Sequence, residues 1–327
     1  MLMFVLRRIL VTVPVLLISS MIAFGLVAFA GNPLADLALK QPPPSAASIA
    51  NRRHELGLDL PVYERYWRWL SHFVRGDFGR SSQFPAMSVA HDLWHRLGVT
   101  LIMVSAAMVL AVCFAVVAGV LAAVRQYSST DYAFTLLGFL FLSVPVFFLA
   151  GLLKQGAVTL NDSVFGTQVL NTTGEATPFT AGWLNVIYDR LGHLVLPTIA
   201  LAVISYATWS RFQRSAMLDV LNSDYVRLAR AKGLPQRRVL IRHALRTALI
   251  PLTTVVAIDV GAILGGAVLT ERVFVWHGMG EMLLESVRNQ DINRVLAWLM
   301  VSALIVVMFN LIADLLYAVL DPRIRHG

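Results

Sequence analysis

The sequence predicts an all-α membrane protein with six transmembrane helices and both termini on the cytoplasmic side. Three observations support this reading. First, 57% of the 327 residues are hydrophobic and 14% are charged, with a mean hydropathy of +0.68, whereas ordinary soluble domains carry about 25% charged residues. Second, the chain contains six apolar stretches, each near the ~20 residues that cross a hydrocarbon core about 30 Å thick. Third, the basic residues of the short connections gather on one side, as the positive-inside rule requires.

The first stretch, residues 9–30, follows Arg7 and Arg8 and ends in Ala28-Phe29-Ala30, a pattern that also suits a cleaved secretory leader. Its length exceeds the ~7–15 residues of a leader's apolar region, so it is read as an uncleaved span. The other spans run near residues 97–124, 132–153, 194–212, 250–270 and 296–320. Pro145 interrupts the third and Pro197 lies in the fourth; neighbouring helices accommodate such prolines by satisfying the freed carbonyls. With both termini inside, 14 of the 27 Lys and Arg residues fall on the cytoplasmic side, and 8 of the other 13 belong to the 66-residue segment 31–96. Long segments obey the rule weakly, so the short connections set the orientation. The net charge of +8 therefore reflects topology signals beside apolar runs rather than nucleic-acid binding.

Residues 1–30 form the N-terminal segment and first span, and residues 31–96 an extracytoplasmic loop. Within that loop residues 31–50, with Pro42-Pro43-Pro44, read as flexible. Asp59 is placed to cap a helix with Pro61 in its first turn. Leu60, Tyr63, Trp67, Leu70 and Val74 then recur at helical spacing. They predict a short amphipathic helix on the outer membrane surface or on the bundle. Residues 97–320 form the membrane core, and 321–327 a cytoplasmic tail. Within the core, the connection 154–193 is rich in Thr, Asn and Gly and reads as irregular. Cys113, the single cysteine, excludes an internal disulfide and a cysteine-based metal cluster and is read as a small core residue. His91 and His95 flank Asp92, but the glutamate and third ligand of a zinc hydrolase are missing. Asn310 and Asp314, four apart, read as packing and capping groups, and Asp321-Pro322 as the stop of the last helix.

The core contains one hydrophilic cytoplasmic loop, residues 213–249, with its own start, stop and turn signals. Ser223 is placed to cap a helix whose first residue, Asp224, puts an acid at the positive end of the dipole. The helix should run to Lys232, with Gly233 taking the left-handed stop and Pro235 preventing continuation. Tyr225, Leu228, Ala229 and Lys232 share one face. So short a helix is marginal alone in water, so its own bundle and a partner must hold it. The pattern leaves a second reading open, a basic loop resting on anionic lipid head groups.

Asp224-Tyr225-Val226-Arg227-Leu228-Ala229-Arg230-Ala231-Lys232-Gly233-Leu234, followed by Arg242-His243-Ala244-Leu245-Arg246-Thr247-Ala248-Leu249-Ile250-Pro251, resembles the coupling loop of ABC-importer permeases. It is most similar to the B-type membrane subunit of dipeptide/oligopeptide importers. Further motifs extend the resemblance over nearly the whole chain. They are Leu56-Gly57-Leu58-Asp59 with Pro61, Gly76-Asp77-Phe78-Gly79-Arg80-Ser81, His193 to Pro197, Glu271 with Phe274 and Gly278-Met279-Gly280, Asp314 to Tyr317, and Leu320-Asp321-Pro322-Arg323. The chain departs from the family's Glu-Ala-Ala pattern, with Arg227 and Leu228 in its first two positions; Ala229 and Gly233 fit. Any salt bridge from the family's glutamate is lost with it, and Asp224 could supply an acid from one turn earlier.

The resemblance implies a type I importer permease fold in a prokaryotic cytoplasmic membrane. It implies a homologous second permease, two ATP-binding cassette ATPase subunits that each receive a coupling helix, and an extracytoplasmic peptide-binding protein. Asp224, Tyr225, Arg227, Leu228, Ala229, Ala231, Lys232, Gly233 and Leu234 would form the ATPase-coupling element. The chain would bind no cofactor; ATP and Mg would belong to the partner subunits. No G-x-x-x-x-G-K-[ST] phosphate loop occurs in the sequence, so any ATP must act in trans.

A charge at mid-bilayer costs about 2.5–3.5 kcal/mol on insertion scales. Asp259, in the fifth span, is thus a candidate for the translocation pathway, favouring a cationic peptide amino terminus; the bland alternative is a protonated or paired packing residue. Gly261-x-x-x-Gly265 would let another helix approach closely. The function expected is a permease of an ATP-driven peptide importer, with glutathione or metal chelates as other solutes. An intramembrane enzyme or an ion channel is the competing class, but neither clustered catalytic groups nor a filter motif stands out.

Overall fold

The computed structural model describes residues 2–30, 45–55 and 57–320. The expectations for residues 31–44, and for Asp321-Pro322 as a helix stop, lie outside them. The described residues form helices joined by short turns, and their closest approach to sheet pairing is one backbone bridge between Arg80 and Ser88. Five helices are each long and apolar enough to cross a membrane: Leu10–Phe29, Val89–Val124, Trp183–Leu221, Gln236–Phe274 and Ile292–Leu316.

The expected third span is the one that departs. It is two helices, Ser129–Leu142 and Val146–Leu160, the latter continued by a π turn to Phe165, with a 103° bend between them. Pro145 explains the break. It caps the second helix at φ −60 and ψ 142, and the residue before a proline is pushed out of helical geometry. Taken together the pair supplies a sixth apolar passage.

The helices Trp183–Leu221 and Gln236–Phe274 have 39 residues each, about 58 Å long at the α-helical rise. Both overrun the expected spans 194–212 and 250–270 by far, because apolar length marks only the part of a helix that lipid could cover. The connection 154–193 is likewise irregular only between Gly166 and Gly182. There the backbone N–H groups of Val169 and Leu170 donate to Asn161 Oδ1 at 3.0 and 2.9 Å, and Thr177 donates to Asp189. The end of helix Gln236–Phe274 is clamped from two sides: Gly174 N–H of the loop donates to Phe274 O at 2.8 Å, and Lys154 Nζ of helix Val146–Leu160 to Val273 O at 2.7 Å.

The chain forms two compact units, one combining the described residues up to Val99 with Gly278–Ile305, the other combining Thr100–His277 with those from Val306. In the first unit a buried charge network ties two sequence-distant segments together. Arg294 donates to Asp92 at 2.7 Å and Glu285 at 3.2 Å, and Arg96 to the same two carboxylates at 2.8 and 3.2 Å. Asp291 accepts from Ser81 Oγ and from the Ser82 N–H. Asp92, between the two histidines, is thus taken up by two arginines.

Several local expectations in this unit are corrected. Helix Ala46–Glu55 occupies part of the stretch read as flexible, and Ser45 Oγ accepts the Ser48 N–H at its start. Asp59 does not cap the next helix, Val62–Val74; it faces Arg53 and His54 at 3.8 and 3.6 Å, and Pro61 stands at the cap position. That helix is also rotated from the expected face. Tyr66 is buried with Phe24 and Leu296, flanked by Trp69 and Leu70, while Tyr63, Trp67 and Val74 are exposed. Tyr63, Tyr66, Trp67, Trp69 and Phe73 surround the helix with aromatic rings, so periodicity alone could not choose a face. The buried hydroxyl contact of Tyr66 with Ser20, 2.8 Å, fixes the rotation.

In the second unit Cys113 is exposed rather than in the core. In a membrane protein the helix faces turned to lipid are as apolar as the interior, so an apolar run does not imply burial.

Candidate functional site

The segment from Asn222 to Leu249 folds as a short helix, a turn and a longer helix. The short helix is Asp224–Ala231. Ser223 stands at its cap position with φ −71 and ψ 153, yet its hydroxyl does not cap. It donates instead to Val220 O at 2.5 Å, closing the preceding helix. The acid in the first turn is present as expected: Asp224 accepts from Arg227 at 2.7 Å, a pair within the helix and exposed on both sides. Such an exposed pair adds little stability; its effect is to orient Arg227 along its own helix.

The stop signals act as read. Gly233 has φ +74, its N–H donates to Arg230 O at 2.9 Å, and Leu234 N–H donates to Ala229 O at 3.4 Å. Only glycine enters this region without a Cβ penalty. Pro235 then opens the next helix at φ −61 and ψ 141. The short helix therefore lies between two long ones, with one turn on each side: the 39-residue helix ending at Leu221 leads into it, and the 39-residue helical run beginning at Gln236, π-helical over Val239–Leu245, leads out.

The short helix has two faces. Val226 and Ala229 are buried in a cluster with Ala123, Ala216, Met217, Val239, Ala244 and Ala248, which roots the helix on both long rods. Tyr225 and Leu228 are 44% and 56% exposed, and Asp224, Arg227, Ala231, Lys232 and Gly233 are exposed too, with Leu234 half-buried. The face expected to unite Tyr225, Leu228, Ala229 and Lys232 is thus divided, with Ala229 turned to the bundle. Val226, its deepest anchor, carried a legible signal: it is the β-branched apolar residue three positions before Ala229, on the same helix face.

One contact near this cluster escaped sequence reasoning altogether. Arg214 clamps Asp131 with two hydrogen bonds, 2.6 Å from Nε and 2.7 Å from Nη2. Asp131 also accepts the Tyr127 N–H at 3.0 Å and is 2% exposed. The pair joins helix Ser129–Leu142 to helix Trp183–Leu221, two residues before the cluster member Ala216. Close by, a Cβ on Gly119 would lie 2.8 Å from Gln213 side-chain carbons and 2.9 Å from the Arg214 backbone nitrogen. Glycine at 119, in helix Val89–Val124, is what lets that helix touch helix Trp183–Leu221.

Asp259 is half-buried and accepts a 2.7 Å hydrogen bond from the indole of the fully buried Trp209. Within this chain the two glycines differ. A Cβ on Gly261 would meet Val306 at 3.7 Å, but one on Gly265 would meet nothing within 4 Å in this chain; the neighbouring Gly266 faces Leu201 at 3.6 Å.

Comparison with known proteins bears on this geometry. Residues 115–326 match the family described as binding-protein-dependent transport system inner membrane component, and residues 1–93 match the N-terminal model of the same membrane component. The chain is 43% identical over 320 residues to the oligopeptide transport system permease protein OppB of Mycobacterium tuberculosis (strain ATCC 25618 / H37Rv), covering 98% of each chain. It is 35% identical to the dipeptide transport system permease protein DppB of Alkalihalophilus pseudofirmus, covering 100% of each. It is 34% identical to the glutathione transport system permease protein GsiC of Escherichia coli O1:K1 / APEC, again covering 100% of each.

Proposed function

This chain belongs to the binding-protein-dependent transport inner-membrane components, and from that premise we propose how it takes part in peptide uptake. It is a membrane permease subunit of a peptide importer, a multi-pass protein of the bacterial inner membrane. The reading adds a division of labour. The chain forms half of the translocation pathway and a homologous permease the other half. Two ATP-binding cassette ATPases, holding ATP and Mg, lie on the cytoplasmic side, and an extracytoplasmic binding protein delivers the peptide. The exposed face of helix Asp224–Ala231 seats in a groove of one ATPase.

The observation that carries this reading is the contrast between the two faces of that helix. Val226 and Ala229 bind it to its own bundle, while Tyr225 and Leu228 stand exposed among basic side chains. A movement imposed on this face reaches the two 39-residue helices through one turn each. The expected test result is that single cysteines at Tyr225→Cys, Leu228→Cys and Lys232→Cys, in a Cys113→Ala background of the complete transporter, form crosslinks to an ATPase subunit. A transport-competent assembly in which none of the three traps an ATPase would overturn the reading.

Asp259 is assigned to the pathway within the same proposal. Trp209 engages one carboxylate oxygen, and the half-buried position leaves the group partly accessible. It would favour the cationic amino terminus of a peptide. Asp259→Asn is expected to lower uptake of free peptides about tenfold, roughly 1.4 kcal/mol, and to leave N-acetylated peptides nearly unaffected. Equal loss for both classes in reconstituted vesicles would make Asp259 a packing residue instead.

A further inference from the structure

The first unit holds an open-mouthed cavity of about 230 Å³. Its walls are apolar at Phe24, Trp69, Phe78 and Leu296, cationic at Arg65 and Arg68, and polar at Asp77, whose carboxylate His72 and the Gly79 N–H engage. The two arginines lie three residues apart, on one flank of helix Val62–Val74. Arg65 is half-buried, its guanidinium 5.9 Å from the centre of the Phe24 ring, and burial pushes its pKa down.

Neither guanidinium has an ion-pair partner among the described residues, and the nearby acids are already engaged. Asp77 accepts from the Gly79 N–H and contacts His72 Nδ1, both at 2.9 Å; these contacts hold its carboxyl below the usual range, the backbone bond most. Asp59 faces Arg53 and His54, and Glu64 accepts from Tyr63 at 3.3 Å. A concave site with apolar walls and two uncommitted guanidinium groups is complementary to an anion carrying an apolar stem.

The other flank of the helix decides which anion. Tyr63, Trp67 and Val74 are 65%, 57% and 77% exposed there, the composition of an interfacial belt. If that flank faces lipid, the arginine flank, nearly opposite, faces water. We propose that this cavity is a carboxylate-binding site, in which Arg65 and Arg68 clamp one carboxylate and Phe24, Trp69 and Phe78 receive its stem. The proposal rests on the importer reading for its sources of carboxylate. They are the C-terminus of an arriving peptide or an acidic side chain of the delivery protein. The volume takes one residue, not a whole peptide.

The test uses the complete transporter in phosphatidylcholine nanodiscs, as wild type, as Arg65→Gln/Arg68→Gln and as Arg65→Lys/Arg68→Lys. Two probes are measured by equilibrium binding: the dipeptide Ala-Phe against its C-terminal amide, and the purified cognate binding protein. The glutamine pair is expected to weaken carboxylate-dependent binding tenfold or more and to flatten its salt dependence, with the lysine pair retaining part of it. Loss confined to the free-acid dipeptide assigns the site to the peptide terminus; loss confined to the binding protein assigns it to that protein's acidic side chain. Unchanged binding of both probes to a glutamine-pair assembly that elutes like wild type would overturn the proposal. Wild-type transporter that binds a probe yet takes up no peptide with ATP would count against the importer reading alone.

Discussion

Leu228→Asp is expected to reduce ATP-driven peptide uptake by the assembled transporter about 30-fold while leaving the chain folded. Leu228 is 56% exposed and makes no part of the cluster that roots its helix. Substitution at such a position changes stability by only about 0.5 kcal/mol. In a partner's groove the same side chain would sit in a desolvated contact, where truncation or charging costs about 2 kcal/mol or more, roughly 30-fold in affinity. The control lies on the opposite face. Val226→Asp would bury an unpaired carboxylate at a position with 0% exposure, so the loss there should appear as failure to accumulate folded protein. Thermal melting and size-exclusion of the purified assembly separate the two outcomes. Wild-type uptake and ATPase retention in a folded Leu228→Asp transporter would remove the coupling helix from the mechanism.

That contrast also marks what a sequence can carry. The start and stop of helix Asp224–Ala231 were legible because they depend on neighbours in the chain. An acid in the first turn, a glycine free to enter the left-handed region and a proline two residues later act within one turn of helix. Even there the reach was limited. Ser223 has the chemistry of a cap, but the carbonyl of Val220 competes for its hydroxyl, and nothing local fixes the winner. The faces of helix Val62–Val74 were illegible for a different reason. Its rings point in every direction, so the choice falls to one distant hydroxyl, Ser20, 46 residues away from Tyr66. Apolar length placed the passages but not the ends of the two 39-residue helices, because their extensions carry charged residues, among them Asp189, Arg190, Arg237 and Arg238, that end the apolar signal without ending the helix. The 103° bend at Pro145 was signalled by the proline, though a proline at the same kind of site, Pro197, leaves its helix continuous.

The clamp between Arg214 and Asp131 was the contact least visible beforehand, and it supports the second large prediction. The residues are 83 apart in sequence, and an acid in the first turn of a helix reads as dipole compensation rather than as half of an ion pair. The geometry argues otherwise: both carboxylate oxygens are taken by the fork of one guanidinium, and the Asp131 side chain is 4% exposed against 28% for Arg214. Removing one partner of such a pair strands the other charge. For a buried pair the cost is about 3–5 kcal/mol, whereas replacing both partners with well-packed apolar residues of similar volume is often nearly neutral. Arg214→Ala should therefore be the more damaging single change, because it leaves the more buried group unpaired. Asp131→Ala should follow at about 3 kcal/mol, the lower end of that range, because water reaches part of Arg214. The double variant should recover part of the loss, the rest reflecting the cavity that two alanines leave. Thermal inactivation of the detergent-purified transporter, read as a double-mutant cycle, gives the interaction directly. Additive effects of the two single changes would show that the clamp does not hold helix Ser129–Leu142 to helix Trp183–Leu221. A strong interaction energy with uptake still depressed in the stable double variant would instead show that the pair transmits movement as well as resisting unfolding.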